Sequence, residues 1–376
     1  MPEHASSSRA VPWFSRPAAR SWTCAPAPAG VRDFHAALPG YAPTPLTEVP
    51  AVAAELEVGR VFVKDESSRL GLPAFKALGA FWAVHRVLAE RAANGRAPSG
   101  PLTFVTATDG NHGRALARAA RLAGGRAHVF VPEGVHPVAV VAIAGEGAEV
   151  TEVAGPYDGA VRRAAEAATA PGSVLVQDTA WPGYERIPGW IVEGYSTLFT
   201  EIDVQLTAAG TGPPDLVAVP VGVGSLAQAA VTHYRSRGTD RGPALLSVEP
   251  EAAPCVLESL LGGEPVSVAT GETIMAGLNC GTPSDLAWPF LRDGLDAAIV
   301  VTDAESARAA GDLAALGVSC GPCGAAALAG VRAALTGDGA ARRRTALELG
   351  PASTLVLLST EGADANPAAV AEDPDL

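Results

Sequence analysis

The chain has 376 residues, of which 48% are hydrophobic, and a net charge of −13 at pH 7. This length suits two lobes with substantial cores, and the acidic balance without a basic stripe argues against a nucleic-acid binder. No apolar run approaches the ~18–20 residues needed to span a bilayer, so we expect no membrane segment. Residues 1–45 are rich in Ala, Pro, Arg and Ser and lack the apolar core of a secretory signal, which predicts a partly irregular N-terminal arm.

Beyond the arm, short apolar runs alternate with helical patterns. The predicted strands are Val61–Lys64, Leu102–Thr108, Ala127–Val131, Glu149–Val153, Val174–Gln177, Leu216–Val221, Leu245–Val248, Ile299–Thr302 and Thr354–Ser359. The predicted helices are Phe75–Asn94, Gly110–Gly124, Val138–Ala144, Asp158–Thr169, Trp190–Leu206, Ser225–Arg235, Glu305–Leu316 and Gly324–Leu335. Repeated β–α alternation with largely apolar strands predicts an α/β fold with parallel sheets covered on both faces.

Lysine is rare in this chain, since Lys64 and Lys76 are the only lysines among 27 Lys and Arg residues. Arginine stays protonated in proteins, so it cannot serve as a nucleophilic amine. A lysine kept where arginine supplies every other charge indicates a task that needs an amine, such as condensation with an aldehyde. Lys76 lies beside Phe75 at the start of a helix, where partial burial disfavours the charged form. Two ordinary surface lysines are the alternative.

Active sites in open α/β sheets lie beyond the carboxyl ends of strands, and three motifs fall at such places. The first motif is Thr108–Gly113, with the sequence TDGNHG. Its glycines permit tight turns and its amides at a helix N-terminus can hold an anion. Asn111 offers a donor and an acceptor, and Asp109 offers a proton acceptor. A simple helix N-cap with a glycine turn is the alternative.

The second motif is Pro220–Ser225, with the sequence PVGVGS. Two glycines and a hydroxyl at a helix start can cradle a phosphate through backbone N–H groups. A dinucleotide fingerprint needs a third glycine, and Ala227 stands in that place as a permitted substitute, with a ribose-binding acid then sought near Glu249. A nicotinamide site and a purely structural turn therefore stay open for this loop.

The third motif is Gly321–Ala327, at the start of a helix of small residues. Cys323 either is a small buried residue or places its S–H group against a ring nitrogen. Cys320 and Cys323 are the only close pair among the five cysteines, and no second CxxC pair completes a metal site. We therefore predict no metal, with reduced thiols in a cytoplasmic protein.

Together, these features are the parts of a pyridoxal phosphate site: an imine-forming lysine, a phosphate loop, an amide beside a turn and a ring-nitrogen partner. The chain resembles the fold-type II pyridoxal phosphate enzymes and, within them, the diaminopropionate ammonia-lyases. The resemblance rests on ordered landmarks, namely Val63–Ser67, Ala74–Gly79, Thr108–Gly113, Gln177–Trp181, Gly222–Gly224 and Thr273–Gly281. Asp109 is the most particular match, because general serine/threonine dehydratases usually carry a small residue there.

The resemblance implies a role for each matching residue. Lys76 is then the Schiff-base lysine, and Asn111 is the partner of the cofactor's phenolic oxygen. Cys323 matches the ring-nitrogen position. Four consecutive residues form the implied phosphate loop: Gly222, Val223, Gly224 and Ser225.

The implied reaction is an α,β-elimination that yields pyruvate and ammonia from a small amino acid. Lys76, or Asp109 for the opposite enantiomer, removes the α-proton, and Asp178 is the positioned acid that assists departure of the β-substituent. An ionised Asp109 also favours the β-ammonium group of 2,3-diaminopropionate over serine. The alternatives are a serine/threonine dehydratase-like enzyme, a lyase or synthase of specialised metabolism, and a catalytically silent descendant.

The resemblance also implies a two-lobed homodimer subunit, each lobe a largely parallel open sheet flanked by helices. Residues 46–80 and 190–376 then form the large cofactor-binding domain, and residues 81–189 form the small domain. Among the neighbouring polar residues, we expect His112 to pack in its turn. Arg69 is expected either to hold a carboxylate or to be solvated, and Asp65 and Glu66 to form a capped turn or a paired acid site.

Overall fold

The computed structural model describes residues 11–95, 100–108, 110–155, 157–238 and 242–365. Helices and strands alternate through these ranges as β1 (Trp13–Ser15), α1 (Val31–Ala36), β2 (Leu46–Glu48), α2 (Pro50–Glu55), β3 (Arg60–Asp65), α3 (Lys76–Ala93), β4 (Thr103–Ala107), α4 (Asn111–Leu122), β5 (Arg126–Pro132), α5 (Pro137–Gly145), β6 (Glu149–Val153), α6 (Tyr157–Ala167), β7 (Ser173–Leu175), α7 (Arg186–Ala208), β8 (Leu216–Pro220), α8 (Ser225–Arg235), β9 (Ala244–Pro250), α9 (Cys255–Gly262), α10 (Trp288–Gly294), β10 (Ala297–Val301), α11 (Asp303–Ala315), α12 (Pro322–Leu335), α13 (Ala340–Leu347) and β11 (Thr354–Ser359).

Two separate sheets organise the chain. The larger has the strand order β1-β10-β9-β8-β11-β3-β2, and the smaller has the order β6-β5-β4-β7. All pairings are parallel except those of β1 and β2, which lie antiparallel at the two edges of the larger sheet. The predicted α/β fold with two largely parallel sheets flanked by helices is confirmed.

The central strands owe their position to their composition. Every residue of β8, β9 and β11 is buried, which matches near-continuous apolar runs covered by helices on both faces. Each predicted strand and helix is present close to its expected bounds. The elements that the sequence did not reveal are short ones, namely β1, α1, β2, α2, α9, α10 and α13.

The described part of the N-terminal arm, from residue 11 onward, contains a short strand and a short helix. Trp13 pairs with Ile299, so β1 extends the larger sheet at its edge. Arg20 donates from Nε to Asp296 Oδ1 at 2.8 Å, which fixes the arm to the start of β10. The two sheets suggest a division into a large and a small domain, and we propose residues 46–80 and 190–376 for the large domain and residues 81–189 for the small one.

Helices α3 and α7 cross with direct backbone contact. A Cβ on Gly79 would lie 2.7 Å from Ile191 Cγ2, and a Cβ on Gly194 would lie 2.6 Å from the carbonyl oxygen of Leu78. Only glycine allows so close an approach. Because Lys76 is the first residue of α3, this crossing fixes the base of the lysine against the longest described helix. Within the described residues, no helix is both long and apolar enough to cross a membrane.

Candidate active site

Lys76 begins α3, and its side chain is 23% exposed. Its Nζ donates to Oδ2 of Asp178 at 2.6 Å. The backbone just before it is held in place, because Phe75 donates its N–H to the carbonyl oxygen of Thr360 at 3.2 Å. The partial burial expected for Lys76 is confirmed, and its amine lies beside a carboxylate.

Lys64, the other lysine, has a different environment. Its side chain is fully buried in β3, and Nζ donates to Glu201, Gln205 and the carbonyl oxygen of Thr44 at 2.7 to 2.8 Å. Burial lowers the pKa of Lys64, although the carboxylates of Glu66 and Glu201 raise it. Lys64 is therefore engaged in the protein interior, which leaves Lys76 as the lysine that a cofactor can reach.

Glu201, the acidic partner of Lys64, belongs to a buried ion cluster that also contains Arg69 and Glu66. Arg69 donates to both oxygens of Glu201 at 2.7 Å and to Glu66 at 2.7 to 2.8 Å, and all three side chains are almost completely buried. The interpretation of Arg69 as solvated is wrong, and so is that of Glu66 as part of a paired acid site. Both residues hold the segment before Lys76 against α7.

Asp178 follows β7 and is buried. Burial raises the pKa of its carboxyl, but the Lys76 ammonium, the charge of His112 and the hydrogen bond from Lys76 outweigh burial and bring the pKa to about 2. While Lys76 carries its free ammonium, Asp178 is therefore ionised at neutral pH. In that form it accepts hydrogen bonds and attracts cations, and it has no proton to donate.

His112 anchors the start of α4. Its Nε2 lies 2.8 Å from the carbonyl oxygen of Val176, and its Nδ1 lies 4.0 Å from Asp178 Oδ2. Burial lowers the pKa of the imidazole, although Asp178 raises it. This environment agrees with the packing role expected for His112. Asp109, three residues upstream, lies outside the described residues.

The predicted phosphate loop joins β8 to α8. Gly224 has a φ of +100°, and a Cβ on Gly222 would lie 2.8 Å from Cys280 Sγ, so both positions require glycine. The first N–H groups of a helix lack partners within it, which leaves them available for an anion. The hydroxyl of Ser225 donates to the carbonyl oxygen of Asp178 at 3.0 Å. The phosphate loop is thus hydrogen-bonded directly to Asp178, the residue that pairs with Lys76.

Ser284 makes a second tie between the same two segments. Its N–H donates to the carbonyl oxygen of Val223 at 2.8 Å, and its hydroxyl accepts from the N–H of Ala180 at 3.2 Å. Sequence reasoning missed Ser284, since no motif surrounds it.

Asn111 and Cys323 meet at a residue that was not predicted. Asn111 Nδ2 donates to Oε2 of Glu361 at 2.8 Å, and the N–H of Cys323 donates to Oε1 of the same carboxylate at 3.2 Å. Cys323 is buried, with Sγ 3.4 Å from the position of a Cβ on Gly277. Glu361 follows the carboxyl end of β11, and this position after a strand was the signal that could have revealed it.

Cys320 lies in the same corner but is engaged differently. The hydroxyl of Ser359 donates to Cys320 Sγ at 3.0 Å, and burial raises the pKa of the thiol to about 12. In the part of the chain that the structure describes, no group of three or more His, Cys, Asp or Glu residues is placed to hold a metal ion.

The comparisons with known proteins agree with this arrangement. A family model described as pyridoxal-phosphate dependent enzyme matches residues 37–359. The chain belongs to this family. This pyridoxal-phosphate dependent enzyme is 40% identical over 296 residues to the diaminopropionate ammonia-lyase of Salmonella typhimurium, a match that covers 74% of the chain and 73% of the relative. It is 38% identical over 273 residues to the enzyme of that name from Escherichia coli, covering 70% and 68%.

Solved structures extend the match to almost the whole enzyme. The diaminopropionate ammonia-lyase of Escherichia coli in complex with an aminoacrylate–cofactor intermediate has a TM-score of 0.85 and 32% identity, covering 97% of this chain and 98% of that one. The same enzyme in complex with D-serine has a TM-score of 0.84 and 32% identity, covering 96% and 93%. The structure of maize serine racemase, at 22% identity, shares the fold.

Proposed function

We propose that this enzyme eliminates the β-amino group of a 2,3-diaminopropionate-like amino acid as ammonia. The released aminoacrylate is then hydrolysed by water to pyruvate and a second ammonia. The observation that carries the proposal is the pairing of Lys76 with ionised Asp178 in a chain whose other lysine is sealed in an ion cluster. The relatives at 40% and 38% identity bear the name of this activity.

The residues of the site fit pyridoxal phosphate. Lys76 supplies a partly exposed amine for the aldehyde, and the N-terminus of α8 with its two glycines supplies backbone donors for the phosphate. Asn111 and Cys323 both donate hydrogen bonds to the carboxylate of Glu361. We assign Asn111 to the phenolic oxygen of the cofactor and Cys323 to its ring nitrogen. When bound, the cofactor withdraws electrons from the substrate's α-carbon and so acidifies the proton there.

Lys76 and Asp109 are the proposed proton acceptors at the α-carbon. With pyridoxal phosphate bound, the amine of Lys76, once released from the aldehyde by the substrate's α-amino group, would take the α-proton of one enantiomer. For the opposite enantiomer we assign this task to Asp109. General-base steps of this kind contribute typically ~10²–10⁴-fold in rate.

We assign Asp178 the role of a negatively charged group beside the substrate's β-amino group, because its carboxyl is ionised. A carboxylate beside the substrate's β-amino group keeps that group as an ammonium, because an opposite charge favours the charged form. The β-ammonium then departs as neutral ammonia without a separate proton donor. Asp178 thus acts through its charge, which differs from the acid role that the resemblance first implied. Serine lacks the β-ammonium and gains nothing from this carboxylate.

A serine/threonine dehydratase-like activity is the second candidate. It is favoured by the D-serine complex of the similar structure and by a match at 30% identity over 54% of this chain to an L-threonine ammonia-lyase from Geobacter sulfurreducens. A lyase or synthase acting on another β-substituted amino acid in specialised metabolism shares the same machinery.

A substrate panel tests the proposal. Pyruvate release is measured with D- and L-2,3-diaminopropionate, D- and L-serine, and L-threonine, with a Lys76→Ala enzyme as the blank. We expect the diaminopropionates to give the highest kcat/KM, and Asp109→Asn to reduce turnover of one enantiomer far more than the other. Serine or threonine as the best substrate would favour the second candidate, and a protein that binds no cofactor would overturn both.

We also propose that the enzyme is a cytoplasmic homodimer. This expectation comes from the family resemblance. Sedimentation velocity of the holoenzyme tests the assembly, with a species of twice the chain mass of 38.0 kDa as the expected result.

A further inference from the structure

Glu361 joins residues from two sides of the cofactor site. It follows β11, is 5% exposed, and accepts from Asn111 Nδ2 through one carboxylate oxygen and from the Cys323 N–H through the other. Asn111 begins α4 beside the smaller sheet, whereas Cys323 lies in the first turn of α12 beside the larger sheet. The carboxylate therefore bridges the two sides of the site.

The backbone around Glu361 is fixed independently of its side chain. Its carbonyl oxygen accepts from Gly321 at 3.0 Å, and the next residue, Gly362, donates to Pro73 at 2.9 Å. Glu361 also forms an isolated bridge with Ala74, two residues before Lys76. The segment is thus held between the lysine's approach and the start of α12, so the carboxylate projects from a defined point.

The chemistry of the side chain matters as well as its position. An asparagine amide can be turned so that its oxygen and nitrogen exchange places, and the partner of Nδ2 decides which way it faces. A carboxylate accepts at both oxygens, whereas glutamine offers one acceptor and one donor group. Glutamine at 361 cannot accept from both Asn111 and Cys323, although its shape is the same.

We propose that Glu361 is a positioning residue of the cofactor site, which orients the Asn111 amide and fixes the first turn of α12 against the bound ring. This inference rests on the proposed function, because it assigns Asn111 to the cofactor. It adds a residue that acts through Asn111 and Cys323 and requires no contact of its own with the substrate.

The test compares Glu361→Gln, Glu361→Asp and the wild-type holoenzyme. Visible circular dichroism and the absorption maximum report how the bound cofactor is held, and titration of the apoenzyme with pyridoxal phosphate gives Kd. We expect Glu361→Gln to weaken cofactor binding about tenfold, to reduce the visible circular dichroism and to shift the absorption maximum. Glu361→Asp, which keeps both acceptors, is expected to retain a larger share of the wild-type signal.

Glu146→Gln is the matched control. Glu146 is also a buried glutamate held by hydrogen bonds, but its partners are Arg118 and Arg121. Its replacement is expected to leave Kd and the visible spectra unchanged. A wild-type spectrum and Kd in both Glu361 variants would overturn the inference, as would an aspartate variant that behaves worse than the glutamine variant. If Glu361→Gln fails to fold, Glu361→Asp is compared with the wild type alone: a weaker Kd and a reduced visible circular dichroism support the inference, and wild-type values overturn it. A colourless wild-type protein would instead refute the proposed function.

Discussion

Nζ of Lys76 lies 2.6 Å from Oδ2 of Asp178, so the first residue of α3 is joined to the segment that follows β7. The hydroxyl of Ser225 holds the backbone of the same aspartate. Two consecutive hydrogen bonds therefore link the amine of Lys76, the carboxylate-bearing Asp178 and the predicted phosphate loop at Ser225.

This pair gives the first prediction. Lys76→Ala is expected to abolish pyruvate release and the visible absorbance of the holoenzyme, because it removes the covalent anchor as well as the base. Asp178→Asn is expected to bind cofactor and to lose ~10²–10³-fold in kcat, the range typical of removing one electrostatic stabiliser of a developing charge. Absorbance and a coupled lactate dehydrogenase assay measure the two effects. A Lys76→Ala protein that keeps a hydroxylamine-sensitive band would contradict the assignment.

The buried ion cluster gives the second prediction. Glu201 accepts from Lys64 and Arg69, and although burial raises the pKa of Glu201, those two cations bring it to about 2. Glu201→Gln leaves buried positive charge uncompensated and is expected to cost about 3–5 kcal/mol in the free energy of unfolding. Urea denaturation measures the loss. Glu48→Gln breaks the more exposed pair with Arg60 and should cost under ~1 kcal/mol; equal losses in both variants would contradict the prediction.

The helix crossing gives the third. A methyl group added at Gly194 meets the backbone of Leu78, which cannot move without displacing α3. Gly194→Ala is expected to destabilise by about 1–3 kcal/mol and to weaken cofactor binding, since Lys76 begins that helix. Gly189 lies in the same helix, and a Cβ there would make an ordinary 3.7 Å contact with Leu286. Gly189→Ala should therefore be neutral or slightly stabilising in the same thermal and urea melts.

His35 gives a prediction for pH. It lies in α1 with Nε2 2.9 Å from the Leu78 carbonyl oxygen and Nδ1 2.7 Å from the Thr197 hydroxyl, and burial lowers its pKa from 6.5 to about 4. The unfolded chain binds this proton below about pH 6.5 and the folded chain only below about pH 4, so stability falls as pH decreases through that window. The expected loss between pH 7.5 and 5 is about 2 kcal/mol.

Urea titrations of wild type and His35→Gln at both pH values measure this effect. Other groups titrate in the same window, so the difference between the two proteins isolates the imidazole. The glutamine variant is expected to lose less stability on acidification. An equal loss in both would show that another group is responsible.

The fold was largely predictable because apolar periodicity is a local property. Strands such as Leu216–Pro220 are apolar throughout, and the helix at Ser225 begins where two glycines end. The missed elements, such as β1, are short and depend on a partner strand far away in sequence. Periodicity within three residues cannot reveal such pairing.

The candidate site was predictable only where motifs mark it. The rarity of lysine drew attention to Lys76, and strand-end loops drew attention to Asn111 and Gly222. Glu361 and the burial of Arg69 depend on contacts across 250 and 132 positions, respectively. No local pattern records such contacts, so a surface arginine and a buried one look alike in the sequence.

The presence of only two lysines also makes the enzyme convenient for peptide mapping. A protease that cuts after lysine should divide the denatured chain only at residues 64 and 76. After borohydride reduction, a pyridoxyl group on Lys76 would block the second cut and leave residues 65–376 as one fragment. The fragment sizes on a gel would thus show, without sequencing, whether Lys64 or Lys76 had been bonded to pyridoxal phosphate.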